Sequence, residues 1–102
     1  KPMSSVSNGR MLVCDRVTGR YMIINRTECL HESDLSSETY ACAIGKNGNY
    51  AFSIKAEGAS SVVSVFDSTF TKFFDFKCWG SSHILISTDE VTVNQFFYEG
   101  DQ

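Results

Sequence analysis

Apolar residues recur along this chain with a period of two, in short runs broken by polar turns. Met11-Leu12-Val13-Cys14 and Tyr21-Met22-Ile23-Ile24 flank Asp15-Arg16-Val17-Thr18-Gly19-Arg20, which predicts a hairpin whose turn takes its positive φ at Gly19. Tyr40, Cys42 and Ile44 alternate with small residues, Gly45 to Asn49 interrupt, and Tyr50, Phe52 and Ile54 alternate again. A three-residue loop Lys46-Asn47-Gly48 pairs Ile44 with Tyr50, Cys42 with Phe52 and Tyr40 with Ile54, so that all of these side chains share one face. A two-residue Asn47-Gly48 turn would slip the register and split them. The rival reading is a helix over 34–45 ending at Gly45, but its apolar stripe (Leu35, Cys42, with Ala41 and Ile44) is thinner.

The same period continues to the end. Val62 to Phe66 is a strand, Asp67-Ser68-Thr69 turns, and Lys72 to Cys78 returns with Phe74, Phe76 and Cys78 on one face. Trp79 to Ser82 bend, and His83 to Ser87 and Val91 to Phe97 form a last hairpin around Thr88-Asp89-Glu90. Six short, β-branched and aromatic strands without proline predict an all-β body, an antiparallel sandwich or barrel, over 39–102. Eleven of the thirteen aromatics lie between 50 and 98, which locates the expected core there. Residues 1–38 read as an N-terminal extension: a frayed leader over 1–9, the 11–24 hairpin, and a polar stretch over 30–38. That stretch is a linker or a helix start capped by Ser33 or Asp34.

Composition narrows the picture. With 102 residues and 42% apolar content, one domain with a modest core is expected. No apolar run approaches the roughly 20 residues of a membrane-spanning helix. The net charge of −3 is divided unevenly: residues 1–29 carry five cations against two acids, and residues 30–102 carry four lysines against ten acids. A basic arm on an acidic body argues against nucleic-acid binding, although Lys72-Phe73-Phe74-Asp75-Phe76-Lys77 superficially resembles a base-stacking strip.

Cys14, Cys29, Cys42 and Cys78 form no C-x-x-C and have no metal-ligand spacing to a histidine, so no metal and no cofactor is expected. An even count in a small chain reads as two disulfides in a secreted protein. Of the three possible pairings, Cys14–Cys29 with Cys42–Cys78 is preferred, closing one bridge in the arm and one in the body. Loops of these lengths contribute about 3 to 4 kcal/mol each. The chain opens at Lys1 with no charged-then-apolar leader, which reads as a mature protein whose signal peptide is gone, or as a trimmed piece. Asn25-Arg26-Thr27 is a glycosylation sequon of little diagnostic weight.

Catalytic constellations are thin. His31 and His83 are the only histidines and neither sits in a nucleophile motif such as G-x-S-x-G. The acid pairs Asp89-Glu90 and Glu32/Asp34 read as solvated charges. The expectation is a non-enzymatic, monomeric module that binds protein through strand edges, with the basic arm steering an acidic partner.

Residues 40–97 resemble the fungal MAX effectors, the avirulence and ToxB-like family secreted by plant pathogens. The resemblance rests on Tyr40-Ala41-Cys42 in a first strand, six short strands, and Cys78 just ahead of the fifth strand, His83-Ile84-Leu85-Ile86. It implies a six-stranded sandwich of two three-stranded sheets clamped by a Cys42–Cys78 bridge. It also implies a protein secreted and translocated into the host cell, binding host plant proteins such as metal-binding-like domains of immune receptors. The second and third strands (Tyr50 to Lys55 and Val62 to Phe66) would be the binding edges, with Tyr50, Phe52, Lys55, Val63 and Val65 as partner-contacting residues. The helix over 34–45 would instead resemble the ribonuclease-like effectors of powdery mildews, an α+β pseudoenzyme fold binding host protein or RNA. A working ribonuclease site cannot be assembled, because no arginine follows position 26.

Overall fold

A computed structural model of the chain describes residues 1–58 and 60–78, with the strands over 82–87 and 92–97. Those residues contain ten strands and no helix: β1 (Pro2–Ser7), β2 (Arg10–Asp15), β3 (Arg20–Ile24), β4 (Cys29–Asp34), β5 (Thr39–Ile44), β6 (Tyr50–Ile54), β7 (Ser61–Phe66), β8 (Lys72–Cys78), β9 (Ser82–Ser87) and β10 (Thr92–Phe97). All pairings are antiparallel. Sheet 1 has the order β1-β2-β3-β4, sheet 2 the order β5-β6-β7-β8, and β9 and β10 form a separate hairpin.

The all-β expectation holds, and the helix over 34–45 is overturned, because Thr39–Ile44 is β5. Strands lie at all six places expected between 40 and 97, but they are grouped four and two rather than three and three. The larger correction concerns the first 38 residues. The leader is the paired strand β1, the polar stretch contains β4, and the whole segment is a four-stranded sheet rather than an extension. Its inward side chains Leu12, Cys14, Tyr21 and Ile23 join Ile44, Tyr50, Phe52 and Phe66 of sheet 2 in one buried cluster. Half of that cluster comes from the supposed arm.

Local chemistry explains the registers. The 46–48 loop pairs Ile44 with Tyr50 and Cys42 with Phe52 as expected, with Gly48 at φ +88°. Its Gly48 N–H donates to the Gly45 carbonyl and the Gly45 N–H to the Asn49 carbonyl. Gly19 turns the β2–β3 hairpin at φ +81°, and any Cβ there would collide with the Ser37 carbonyl, so glycine is required on two grounds. The one register failure is at Tyr40. A bulge pairs Thr39 rather than Tyr40 with Ile54, leaving Tyr40 42% exposed and Thr39 buried. Sheet 1 comes within backbone hydrogen-bonding distance at this corner, Thr39 N–H to the Arg16 carbonyl at 2.8 Å, and the small Thr39 side chain is the one buried there.

Both faces of β6 and β7 are buried. Tyr50, Phe52 and Phe66 face sheet 1, and Ala51, Ser53, Val63 and Val65 are buried on the opposite side. The fragment 39–102 therefore lacks the surface that covers one face of sheet 2. We expect it to show no cooperative urea transition where the full chain shows one. In the full chain, Phe52→Ala should lower unfolding free energy by about 3 to 5 kcal/mol in the same assay, as truncation of a fully buried aromatic does.

Candidate functional site

Four of the five expected partner-contacting residues are core residues. Tyr50 and Phe52 on β6 and Val63 and Val65 on β7 are at most 1% exposed, and each of those strands is paired on both sides. They cannot offer an edge. The four-stranded grouping places them centrally, whereas two three-stranded sheets would have put an edge there. Lys55 alone faces solvent; its Nζ lies 3.9 Å from Glu38 Oε1 and its N–H donates to the Glu38 carbonyl.

The sheet edges lie elsewhere, and they differ in kind. On one side of the sandwich β1 and β5 close against each other. Ser5 Oγ accepts the Ile44 N–H at 3.0 Å, and Arg16, at the end of neighbouring β2, takes the Thr39 N–H. Arg16 also donates from Nη1 to the Tyr40 carbonyl. On the other side β4 and β8 are the terminal strands of their sheets. β4 is mostly polar and exposed (Cys29, Glu32, Ser33, Asp34). β8 exposes Lys72, Phe73, Asp75 and Lys77, and a register shift opposite Val65 and Phe66 leaves Phe73 without a ladder partner and 53% exposed. Asp75 is held on this edge by Ser64 Oγ and by Lys72 Nζ at 3.1 Å.

A ring cluster spans the sandwich between these two strands. His31 of β4 stacks on Phe70 of the β7–β8 loop with centroids 4.4 Å apart and planes 3° apart. Its Nε2 lies 3.4 Å from the Tyr21 hydroxyl, which in turn lies 3.1 Å from the Tyr50 hydroxyl. Arg10 completes the stack, its guanidinium 5.7 Å from the Phe70 centroid and its Nη1 donating to the Ser68 carbonyl. Phe70 holds φ +73° because Asp67 Oδ1 accepts from the Thr69 N–H, the Thr69 hydroxyl and the Thr71 N–H. These bonds keep the Asp67 carboxyl below the usual range. Burial, and then the bond to Tyr21, push the Tyr50 phenol well above its ordinary value.

His31, one of the two catalytic candidates, is thus engaged with a phenol and an aromatic face, and among the described residues its ring bonds no serine hydroxyl or thiol. His83 is placed on β9 opposite Phe96, with its side chain outside the described residues. Glu32 and Asp34 are exposed on β4, and Asp89-Glu90 lies outside the described residues.

The expected disulfides do not form. Cys14, Cys29 and Cys42 carry free thiols, and Cys78 is hydrogen-bonded with Ser61. Strand order explains why: β6 and β7 stand between Cys42 and Cys78, and β3 stands between Cys14 and Cys29. At about 4.8 Å per strand these separations are roughly 14 and 10 Å, beyond the ~7 Å that a bridge allows between α-carbons. Burial raises the Cys14 and Cys78 thiols and pushes Cys42 up to about 11, so all three remain protonated at neutral pH.

No family model, curated protein or solved structure matches this chain.

Two outcomes follow from the buried phenol and thiols. Fully reduced protein, freed of reductant and alkylated in its folded state with iodoacetamide near pH 8, should be modified at Cys29 alone, with Cys14, Cys42 and Cys78 reacting only in urea. The raised Tyr50 phenol contributes stability that is complete below about pH 10, the ordinary tyrosine value, and is lost as pH rises above it. The urea midpoint should therefore fall above pH 10 and fall less steeply in Tyr50→Phe. At neutral pH that variant should be about 0.5 to 1.5 kcal/mol less stable through loss of its hydrogen bond.

Proposed function

We propose that this chain is a secreted, non-enzymatic effector of the fungal kind its sequence resembles, acting in the plant host by binding a host protein. The edge it uses is β8, not β6 or β7. The observation that carries this reading is the asymmetry of the sandwich: β1 and β5 seal one side, while β8 ends sheet 2 with Phe73 bulged outward and half exposed. An extended segment of a partner can add to such an edge through main-chain hydrogen bonds, with alternate side chains giving specificity. Phe73 supplies an apolar anchor of the type that dominates interface energetics, and Lys72 and Lys77 beside it discourage self-pairing of the edge.

The engaged state of His31 supports the non-enzymatic part of the reading, since a general base needs a nucleophile within reach. The ribonuclease-like alternative loses its basis with the helix over 34–45.

The test is capture from plant extract by tagged wild-type protein, identification of the captured protein, and titration with purified target. Phe73→Asp should weaken binding at least ~10-fold, about 1.4 kcal/mol, with an unchanged urea midpoint. Val6→Asp, which alters a still more exposed apolar residue on β1, should leave binding intact. Equal binding by Phe73→Asp and wild type would remove β8 as the interface.

A further inference from the structure

We infer that Cys14 and Cys42, reduced in this structure, are the pair placed to close a disulfide when the chain folds under oxidising conditions, and that this bridge ties sheet 1 to sheet 2. Neither expected bridge joins these two residues, and the inference stands independently of the effector reading.

The register carries the argument. On β2 the inward residues run Leu12 then Cys14, with Arg16 just past the strand end; on β5 they run Ile44, Cys42, Thr39, with the Tyr40 bulge absorbing the extra residue. Two short hydrogen bonds fix how these rows face each other. At one end Ile44 N–H donates to Ser5 Oγ at 3.0 Å, and Ser5 is the β1 partner of Leu12. At the other, Thr39 N–H donates to the Arg16 carbonyl at 2.8 Å. Leu12 is thereby set near Ile44 and Arg16 against Thr39, and the residues left facing each other between the two pins are Cys14 and Cys42. Both belong to the same inter-sheet core, Cys14 fully buried and Cys42 packed against it. Cys14 also exchanges a hydrogen bond with Thr39, and the two thiols are close enough for the charge of one to disfavour ionisation of the other. The remaining cysteines are excluded from this site. Cys29 is exposed opposite Ile24, toward the end of the strands occupied by Leu12 and Ile44. Cys78 sits at the other end, opposite Ser61.

The chemistry balances with a small-molecule disulfide such as oxidised glutathione as oxidant. The Cys14 thiolate attacks it and expels one glutathione thiol; the Cys42 thiolate then attacks the mixed disulfide at the Cys14 sulfur and expels the second. Two protein thiols become one disulfide, and one glutathione disulfide becomes two thiols. Burial makes the native thiols poor nucleophiles, so the bond forms during folding, while both sulfurs are still accessible.

The test is refolding of the full chain from urea and dithiothreitol into a buffer of reduced and oxidised glutathione. Alkylation and non-reducing peptide mapping follow. The expected product is two hydrogen atoms lighter than the reduced chain, gives a Cys14–Cys42 cross-linked peptide, and has Cys29 and Cys78 alkylated. Its urea midpoint should be higher than that of the reduced protein. A double variant, Cys29→Ser with Cys78→Ser, should still form the bridge and show the same rise. A folded product with Cys14 and Cys42 both alkylated, or with Cys14 joined to Cys29 or Cys78, would overturn the assignment.

Discussion

The Tyr21 ring is the contact on which the sandwich depends. It sits on β3 and faces out of sheet 1 into a nest of rings, with Phe52 at 4.7 Å, Tyr50 at 5.7 Å and Phe66 at 6.3 Å between centroids. All three of those rings belong to sheet 2, where Tyr50 and Phe66 also stack at 4.9 Å. A phenol buried this deeply needs its hydroxyl satisfied, and two partners are in range: Tyr50 across the interface and His31 on the neighbouring strand. The same side chain therefore supplies apolar area between the sheets and the polar link that fixes their relative position. Its neighbours transmit that position outward, since His31 carries Phe70 and Phe70 carries the guanidinium of Arg10.

That chain of contacts changes the meaning of the charge distribution. A cluster of arginines confined to the first 26 residues reads as a steering patch, but two of them are structural. Arg10 caps the Phe70 ring and donates to the Ser68 carbonyl, and Arg16 donates to the Tyr40 carbonyl. Both reach from sheet 1 to backbone carbonyls of sheet 2 or its loops, as a planar donor fork on a long stem is suited to do. Arg16 makes its link while still exposed, as Arg20 and Arg26 are, and Arg10 is half-buried. The basic stretch thus lies within one sheet of the sandwich, and the charge division at 29/30 falls at the start of β4 rather than at the 34–39 connection between the sheets.

Most of sheet 2 was legible because its strands alternate bulky apolar residues with small ones and its first turn dictates the register. The Ile44–Tyr50 and Cys42–Phe52 pairs emerge from the sequence for that reason. β1 was not legible, since its inward positions are Met3 and Ser5, and Ser5 serves by accepting the Ile44 N–H rather than by burying apolar area. β4 escaped for a different reason. It is a terminal strand, so most of its side chains are polar, and a bulge near Leu30 breaks its period. Local pattern also says nothing about which hairpins stack into which sheet. The grouping into four and four, and with it the identity of the edges, depends on contacts such as Tyr21–Phe52 that lie far apart in sequence. The candidate site failed with the grouping: Tyr50, Phe52, Val63 and Val65 carry strong strand signals because they are core.

The bulge at Tyr40 shows how one inserted residue settles several of these questions at once. Continuous pairing along β5 would point Tyr40 into the corner where sheet 1 comes closest, and Thr39 outward. The extra residue reverses both, and the small Thr39 meets Arg16 and Ser37 through its N–H and hydroxyl. Because the bulge lies between Thr39 and Ala41, the phase beyond it is unchanged, and Cys42 and Ile44 keep facing sheet 1. The edge of sheet 2 is then spent on contacts with β1 and β2, so β5 is closed to any outside strand. Binding through an edge is left to the opposite side of the sandwich, where the second register shift in sheet 2, at Val65 and Phe66, turns Phe73 outward instead of inward. Two bulges in one sheet thus divide its edges into a sealed one and an open one.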